Sequence, residues 1–241
     1  MKLIKLDAID STNEFLKGIS NQQNTENFTV VTAENQTNGK GQRGAVWNSE
    51  VGKNLIMSVL IKDFLIHTNA IFNLNIAFSL AVISTLIKKN IPDLSIKWPN
   101  DILSANKKIG GILIENIIKS DGTILSIVGL GLNVNQTNFG GLPKASSLAV
   151  VTGKEFDKEK LLFEIIANLE LNVAESKQNS ASLRQQFVDL LYKKDIPMPF
   201  TDQKEEKFMG IIQGVSSTGK LQVLLEDDTI QEFDIKEIQM L

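Results

Sequence analysis

The sequence predicts an α/β chain that ends in a small all-β unit. Three observations predict it. Strand-like and helix-like stretches alternate as far as Tyr192. The run Asp195-Ile196-Pro197-Met198-Pro199 then breaks the pattern. Beyond it only short strands remain, separated by polar turns.

Each element has its own signal. Met1 to Leu6 alternates in the manner of a first strand, and Ser11-Thr12-Asn13-Glu14 opens a helix in capping-box form. Phe28 to Thr32 is a short β-branched strand. Ala33 to Asn48 has few large apolar residues and three glycines, which predicts a long loop. Leu55 to Ile61 is a strand; Ala70 to Lys89 is a helix ended by Asn90 and Pro92; Ser95 to Trp98 is a strand again. Lys108 to Ile118 and Thr123 to Leu132 form a hairpin across Ser120-Asp121-Gly122. Glu155 to Ser176 and Ala181 to Tyr192 are helical by periodicity. In the terminal unit, Glu206 to Gly214, Lys220 to Leu225 and Thr229 to Asp234 are strands, and Glu237 to Leu241 is a candidate fourth. The expected division is residues 1–194 and 195–241. The second part is near the size at which a lone core is marginal, so it is expected to pack on the first.

Composition narrows the function. The chain has 241 residues, 42% hydrophobic, and a formal charge of −3. Residues from Asp195 onward carry ten acidic and four basic side chains, which leaves 21 basic against 18 acidic before them. An acidic tail is a poor ligand for a polyanion, so no DNA partner is expected. The longest apolar stretch, Ala70 to Ile87, is interrupted by Asn73, Asn75, Ser79, Ser84 and Thr85. It predicts a buried helix and no membrane partner. The N-terminus lacks a signal-peptide core, and a cytoplasmic location is the expectation. There is no cysteine, which excludes disulfides, thiolate catalysis and zinc–thiolate sites. His67 is the single histidine and is given no role.

Two segments stand out chemically. Gly39-Lys40-Gly41-Gln42-Arg43-Gly44 is a glycine-rich loop with two cations, suited to close approach of a phosphate-bearing ligand or simply a solvated loop. Lys97-Trp98-Pro99-Asn100-Asp101 puts a lysine at the edge of a strand, where a fixed cation can stand between a carboxylate and a phosphate; a solvent-facing lysine before a turn is the ordinary alternative. Trp47 is either a purine-stacking ring or an anchor for the loop base. Gly129-Leu130-Gly131-Leu132-Asn133 implies close backbone approach, by a ligand or by tight packing.

In this order the segments Asp10-Ser11-Thr12-Asn13, Gln36 with Gly39 to Gly44 and Trp47, Lys97 to Asp101, Lys108-Ile109-Gly110-Gly111-Ile112-Leu113-Ile114-Glu115, and Gly129 to Asn133 resemble the biotin protein ligases. The resemblance implies an α/β catalytic domain with a mixed sheet and an SH3-like C-terminal domain. It implies activation of biotin by ATP and Mg²⁺ to biotinyl-5′-AMP, then transfer to a lysine of a biotin carboxyl carrier protein. It assigns Ser11, Thr12, Asn13, Gln36, Gly39, Lys40, Gly41, Gln42, Lys97, Gly111, Gly129 and Gly131 to biotin. Lys40, Arg43, Trp47, Lys97, Asn100 and Asn133 go to the nucleotide. Lys97 is the expected catalytic cation, and metal ligands are unassigned. The family's loop commonly has arginines where this chain has Lys40 and Gln42, with Arg43 the candidate replacement. With Ser11 so near Met1, a ligase-only form without a DNA-binding domain is expected. The oligomeric state stays open, a homodimer included. The alternatives are a lipoate or octanoyl ligase or transferase on the related fold, and a biotin-binding module without turnover.

Overall fold

The computed structural model describes residues 1–20, 22, 25–62, 64 and 71–241, and of Arg43 only the backbone. His67 lies outside these residues. Seven strands form one sheet in the order β1-β2-β3-β7-β6-β5-β4. β1 (Lys2–Ile9) and β2 (Thr29–Gln36) are parallel, joined through α1 (Thr12–Ile19). β3 (Leu55–Lys62), β4 (Leu94–Lys97), β5 (Asp101–Ser104), β6 (Lys107–Ile118) and β7 (Ile124–Leu132) pair antiparallel. The sheet is therefore mixed.

The two faces of the sheet are covered by different helices. Val30, Met57, Val59, Val128 and Leu130 belong to the large cluster that α2 (Ile71–Lys88) and α4 (Lys158–Asp189) complete. α2 is long and apolar enough to cross a membrane by composition, but 67% of it is buried inside this core. The alternate residues Val31, Leu60, Leu125 and Ile127 pack beneath Leu16 of α1. This is the period-2 alternation of a sheet covered on both sides.

α4 runs through one non-helical residue, Asn179, at φ −146° and ψ 66°. The Asn179 side chain accepts from Ser182 N–H, so the kink also caps the C-terminal segment of the rod. That is why two helices are visible in the sequence where the chain forms one bent rod. A short α3 (Leu148–Thr152), capped by Ser147 and ended by Gly153 at φ +69°, has no counterpart among the predicted elements.

The last five strands, β8 (Pro197–Asp202), β9 (Lys207–Val215), β10 (Leu221–Leu225), β11 (Ile230–Phe233) and β12 (Ile238–Met240), form an antiparallel sheet in the order β11-β10-β9-β8-β12. It is compatible with an SH3-like unit. Its residues Phe200, Ile212, Leu221 and Val223 share one continuous apolar cluster with α2 and α4. Three contacts reinforce the junction. Trp98 Nε1 donates to Gly219 O at 2.9 Å; Arg184 donates to Ser216 O and Asn73 Oδ1; Phe72 lies where a Cβ on Gly219 would be, at 2.3 Å.

Candidate functional site

The site lies on the α1 face of the large sheet. α1 has eight residues and covers only the apolar half of that face. Past its N-terminus the same face turns small: Ser58 is paired with Gly129, and Gly131 with both Ile56 and Gly111. Small side chains there leave a floor low enough for other groups to lie on. Two residues use it. A Cβ on Gly129 would stand 2.4 Å from Asn13 Oδ1, and one on Gly131 would stand 2.3 Å from Cε2 of Trp47. Of the alternatives open for these glycines, packing is what the geometry provides, and the packed groups themselves wall a cavity.

That cavity, about 250 Å³, is bounded at one end by Ser11, Thr12 and Gln36 and at the other by Gly111, Asp101 and Lys108. Lys40, Gly41 and Gln42 of the glycine loop form its lid side, and Ile56 and Leu113 supply apolar wall. Ser11 is the N-cap of α1, but its hydroxyl makes no cap hydrogen bond, and Glu14 turns to Lys40 rather than closing a capping box.

The polar end is connected and short of protons. Ser58 Oγ lies 2.6 Å from Asn13 Oδ1 and 2.8 Å from Thr12 Oγ1, and Thr12 Oγ1 lies 3.0 Å from Gln36 Oε1. Asn13 Nδ2 donates to Glu115 Oε2 at 2.8 Å, which fixes Oδ1 as the acceptor facing Ser58. The three oxygen–oxygen contacts share two hydroxyl protons, one from Ser58 and one from Thr12. A ligand N–H entering here finds an acceptor waiting.

A lysine stands at the other end. Lys108 Nζ is 2.7 Å from Asp101 Oδ1 and 5.7 Å from the centroid of the Trp47 ring. An adjoining cavity of about 690 Å³ is lined by Asn133, Gln136 and Phe139, and it also touches Lys108, Val46 and Trp47. Lys108 and Trp47 therefore stand where the two spaces meet. The Trp47 Nε1 is buried with no hydrogen-bond partner among the described residues.

Lys97 is reached by following one row of paired residues across the sheet. Ile56 pairs with Gly131, Gly131 with Gly111, Gly111 with Asp101, and Asp101 with Lys97. Residues directly opposite one another share a face, so Lys97 leaves the sheet on the side of the cavity. Its neighbour Ile96 is buried in the α2–α4 cluster on the other side. Lys97 is half-buried and has no hydrogen-bond or ion-pair partner among the described residues.

The predicted residues are placed unevenly. Ser11, Thr12, Asn13, Gln36, Lys40, Gly41, Gln42, Gly111, Gly129 and Gly131 all line the first cavity. Lys97 does not. It lines a space of about 450 Å³ under the C-terminal sheet, one strand beyond Asp101. Gly39 is also outside the lining, and its role is local: a Cβ there would meet Trp47 O at 2.3 Å. Asn100 lines the first cavity, but its amide donates to Ile112 O. Asn133 lines the second, with Nδ2 donating to Ser146 O at 2.9 Å. The side chain of Arg43 lies outside the described residues. Lys108 lines both cavities and Ser58 backs the polar end from within the sheet; no individual assignment anticipates either.

The loop holding Lys40 is a closed turn. Trp47 N–H donates to Gly39 O, Gly41 N–H to Ala45 O, and a 3-10 turn spans Gln42–Gly44. Lys40 Nζ is 2.7 Å from Glu14 Oε1. The hydrogen bond from Lys40 lowers the Glu14 pKa, and the same bond raises that of Lys40. Among the described residues no group of three or more His, Asp or Glu stands together to hold a metal.

Such a site, with an acceptor-rich end and the Lys108 ammonium at the other, suits a small polar ligand. The chain belongs to the biotin/lipoate A/B protein ligase family, whose sequence profile matches residues 6–135. It is similar to the bifunctional ligase/repressor BirA of Bacillus spizizenii, 33% identical over 168 residues, which are 68% of this chain and 51% of that protein. It is 29% identical over 157 residues to the biotin–[acetyl-CoA-carboxylase] ligase of Mycobacterium tuberculosis, covering 64% of this chain and 57% of the relative. The chain thus spans about half the length of these relatives. Among solved structures it matches the biotin protein ligase of Aquifex aeolicus in complex with biotin and ATP, with a TM-score of 0.82, 26% identity, and coverage of 100% of this chain and 98% of that one.

Proposed function

We propose that this chain is a biotin protein ligase: it joins biotin to ATP to give biotinyl-5′-AMP and pyrophosphate, then passes the biotinyl group to a lysine of a biotin carboxyl carrier protein. The single observation that carries this reading is the row from Ile56 to Lys97, which runs from a proton-poor pocket to an unpartnered cation. A ring system with N–H donors suits the pocket end formed by Ser11, Thr12, Asn13 and Gln36, with Ser58 behind it. Its carboxylate then extends toward the lysines. The adjoining cavity receives the nucleotide, with Trp47 and Asn133 beside it.

Lys97 is the catalytic cation in this reading. It lies one strand from Asp101, about 4.8 Å, and a lysine side chain spans that distance. Its ammonium has no partner among the described residues and is free to take a ligand carboxylate. A carboxylate oxygen attacks the α-phosphorus; the new bond is O–P, and the bond to the bridging oxygen of pyrophosphate breaks. Two anions approach each other, so a fixed cation lowers the barrier, an effect typically worth about 10²- to 10³-fold for one preorganised donor. In the second step a neutral lysine amine attacks the acyl carbon, the C–O bond to AMP breaks, and the amine loses a proton. The anhydride must be shielded from water meanwhile, and the Lys40–Gln42 loop stands at the cavity to do so.

Mg²⁺ enters this reading with the nucleotide. Magnesium on phosphates needs few protein ligands, and the lining offers single carboxylates, Asp101 in one cavity and Glu50 in the other. It neutralises phosphate charge when bound. The lipoate reading gains no support from the polar end, because an acyl tail has no N–H to give it.

The test is incubation of the chain with biotin or lipoate, or both, MgATP and a carrier domain of acetyl-CoA carboxylase, read by intact mass. One biotinyl adduct on the carrier's lysine is expected. A carrier modified by lipoate in preference to biotin, or not modified at all, would overturn the proposal.

A further inference from the structure

Glu115 lines neither cavity but touches a residue that lines the first. It stands on β6 in the row Leu60–Ile127–Glu115, two residues along from the row Ser58–Gly129–Leu113. Leu60 and Ile127 pack beneath α1, so Glu115 shares that face. Both of its oxygens are directed at α1. Oε2 accepts from Asn13 Nδ2 at 2.8 Å, and Oε1 lies 4.0 Å from Nζ of Lys17, one turn further along the helix. The contact to Asn13 is the short one of the two.

The Asn13 amide can be seated in two ways of nearly the same shape, and the two differ in their protons. It fills the hollow left by Gly129, where Oδ1, Cγ and Nδ2 lie 2.4, 3.1 and 3.3 Å from the place of a missing Cβ. As it stands, Oδ1 can only accept, so the Ser58 hydroxyl donates to it. The Thr12 hydroxyl then has one proton for two acceptors, Ser58 Oγ and Gln36 Oε1. Turned over, the amide would donate to Ser58, Ser58 to Thr12, and Thr12 to Gln36. All three contacts would be filled, and no acceptor would wait for a ligand N–H. Shape does not choose between the two seatings, but Glu115 does. An ionised carboxylate only accepts, so it takes Nδ2 and rejects Oδ1.

We propose that Glu115 is a positioning residue for ligand specificity: by fixing the Asn13 amide it keeps the polar end one proton short, and so selects a ring that brings N–H groups, such as a cyclic urea, over other rings of the same shape. The proposal rests on the ligase reading, in which biotin supplies that urea. Glu115 reaches Asn13 and not the ligand, and it takes no part in bond making. Its removal should therefore raise the KM for biotin and leave kcat at saturating biotin within a few-fold.

Calorimetric titration with biotin and with its cyclic-carbonate analogue, which has ring oxygens in place of both N–H groups, tests it. The unaltered chain should prefer biotin. Glu115→Met should weaken biotin about tenfold, the worth of one hydrogen bond, and the carbonate by no more than a few-fold. Binding of the carbonate also shows that the variant folds. Glu115→Gln keeps an amide oxygen for Asn13 Nδ2 and should retain most of the preference. Added to Ser58→Ala, which cuts the relay from Asn13 to Thr12, Glu115→Met should change the preference no further. Independently of any variant, nuclear magnetic resonance of the unaltered chain should show cross-relaxation from the Asn13 side-chain amide protons to Glu115; an amide seated the other way would overturn the proposal. So would an undiminished preference in Glu115→Met, or an equal loss of both ligands, which marks a merely structural role; each leaves the ligase reading standing. No biotin binding by the unaltered chain would overturn the ligase reading itself, and this proposal with it.

Discussion

Gly131 and Trp47 show how a single missing side chain makes a site. The indole occupies the space where a Cβ on Gly131 would be, 2.3 Å from its Cε2. Its Nε1 has no partner among the described residues, so packing and the Lys108 ammonium are what hold the ring. Gly131→Ala should push the indole off the sheet. We expect ATP affinity to fall by more than biotin affinity, with the Tm changed by only a few degrees; titration calorimetry with each ligand checks this. A loss confined to biotin, or no loss, would contradict the role given to Trp47. Single residues also mark the limit of reading by sequence. Ser11, Thr12 and Gln36 come together as the sequence implies, because β1 and β2 run parallel and bring the start of α1 beside the end of β2. Lys108 is different. Its face depends on a register shift between two strands, which local spacing in β6 does not encode.

Among the elements, the glycine loop and α1 form one unit through Lys40 and Glu14. Both side chains are solvent-accessible, so the pair adds little to global stability. Its effect belongs to the loop. Glu14→Gln should speed amide exchange of residues 37–46 in the free protein, and biotin with ATP should restore protection. The pH dependence has a definite sign. The Glu14 carboxyl is held below its ordinary value of 4.5 by the hydrogen bond from Lys40. The contact is therefore complete at neutral pH, persists through that value, and is lost as pH falls further through the lowered one. Loop protection that drops already between pH 7 and 6 would contradict this. Three strands are hard to read for physical reasons. β2 continues to Gln36, into a stretch too polar to look like a strand. The four residues of β5 are too few to show a period. Pro197 and Pro199 make β8 look like a linker; β12 pairs with it only from Phe200 onward, and past it Leu241 N–H uses only the Pro199 carbonyl, so no proline N–H is missed on that side.

Across the whole molecule the two sheets share one apolar cluster, pinned by Trp98, Arg184 and Phe72. The chain should unfold in one cooperative transition. Gly219→Ala should destabilise it strongly, since the position has φ +91° and the new Cβ would meet the Phe72 ring. Calorimetry should show a single peak moved several degrees lower. Two resolved peaks in the unaltered chain would mean that the sheets fold independently. The alternation of elements and the break near Pro197 make the general architecture legible. The shared core is not legible, because contacts such as Trp98 to Gly219 and Asn73 to Arg184 join distant parts of the chain.

At this scale the two sheets also flank the proposed reaction, since Lys97 pairs with Asp101 of the first cavity and lines the space under the C-terminal sheet. Biotin-dependent pyrophosphate release at saturating MgATP, in the unaltered chain and in Lys97→Ala, tests most directly whether that cation joins biotin to ATP. Release should require biotin and should fall by about 10²-fold or more in Lys97→Ala. Biotin-independent release, or a folded Lys97→Ala within a few-fold of the unaltered chain, would contradict it.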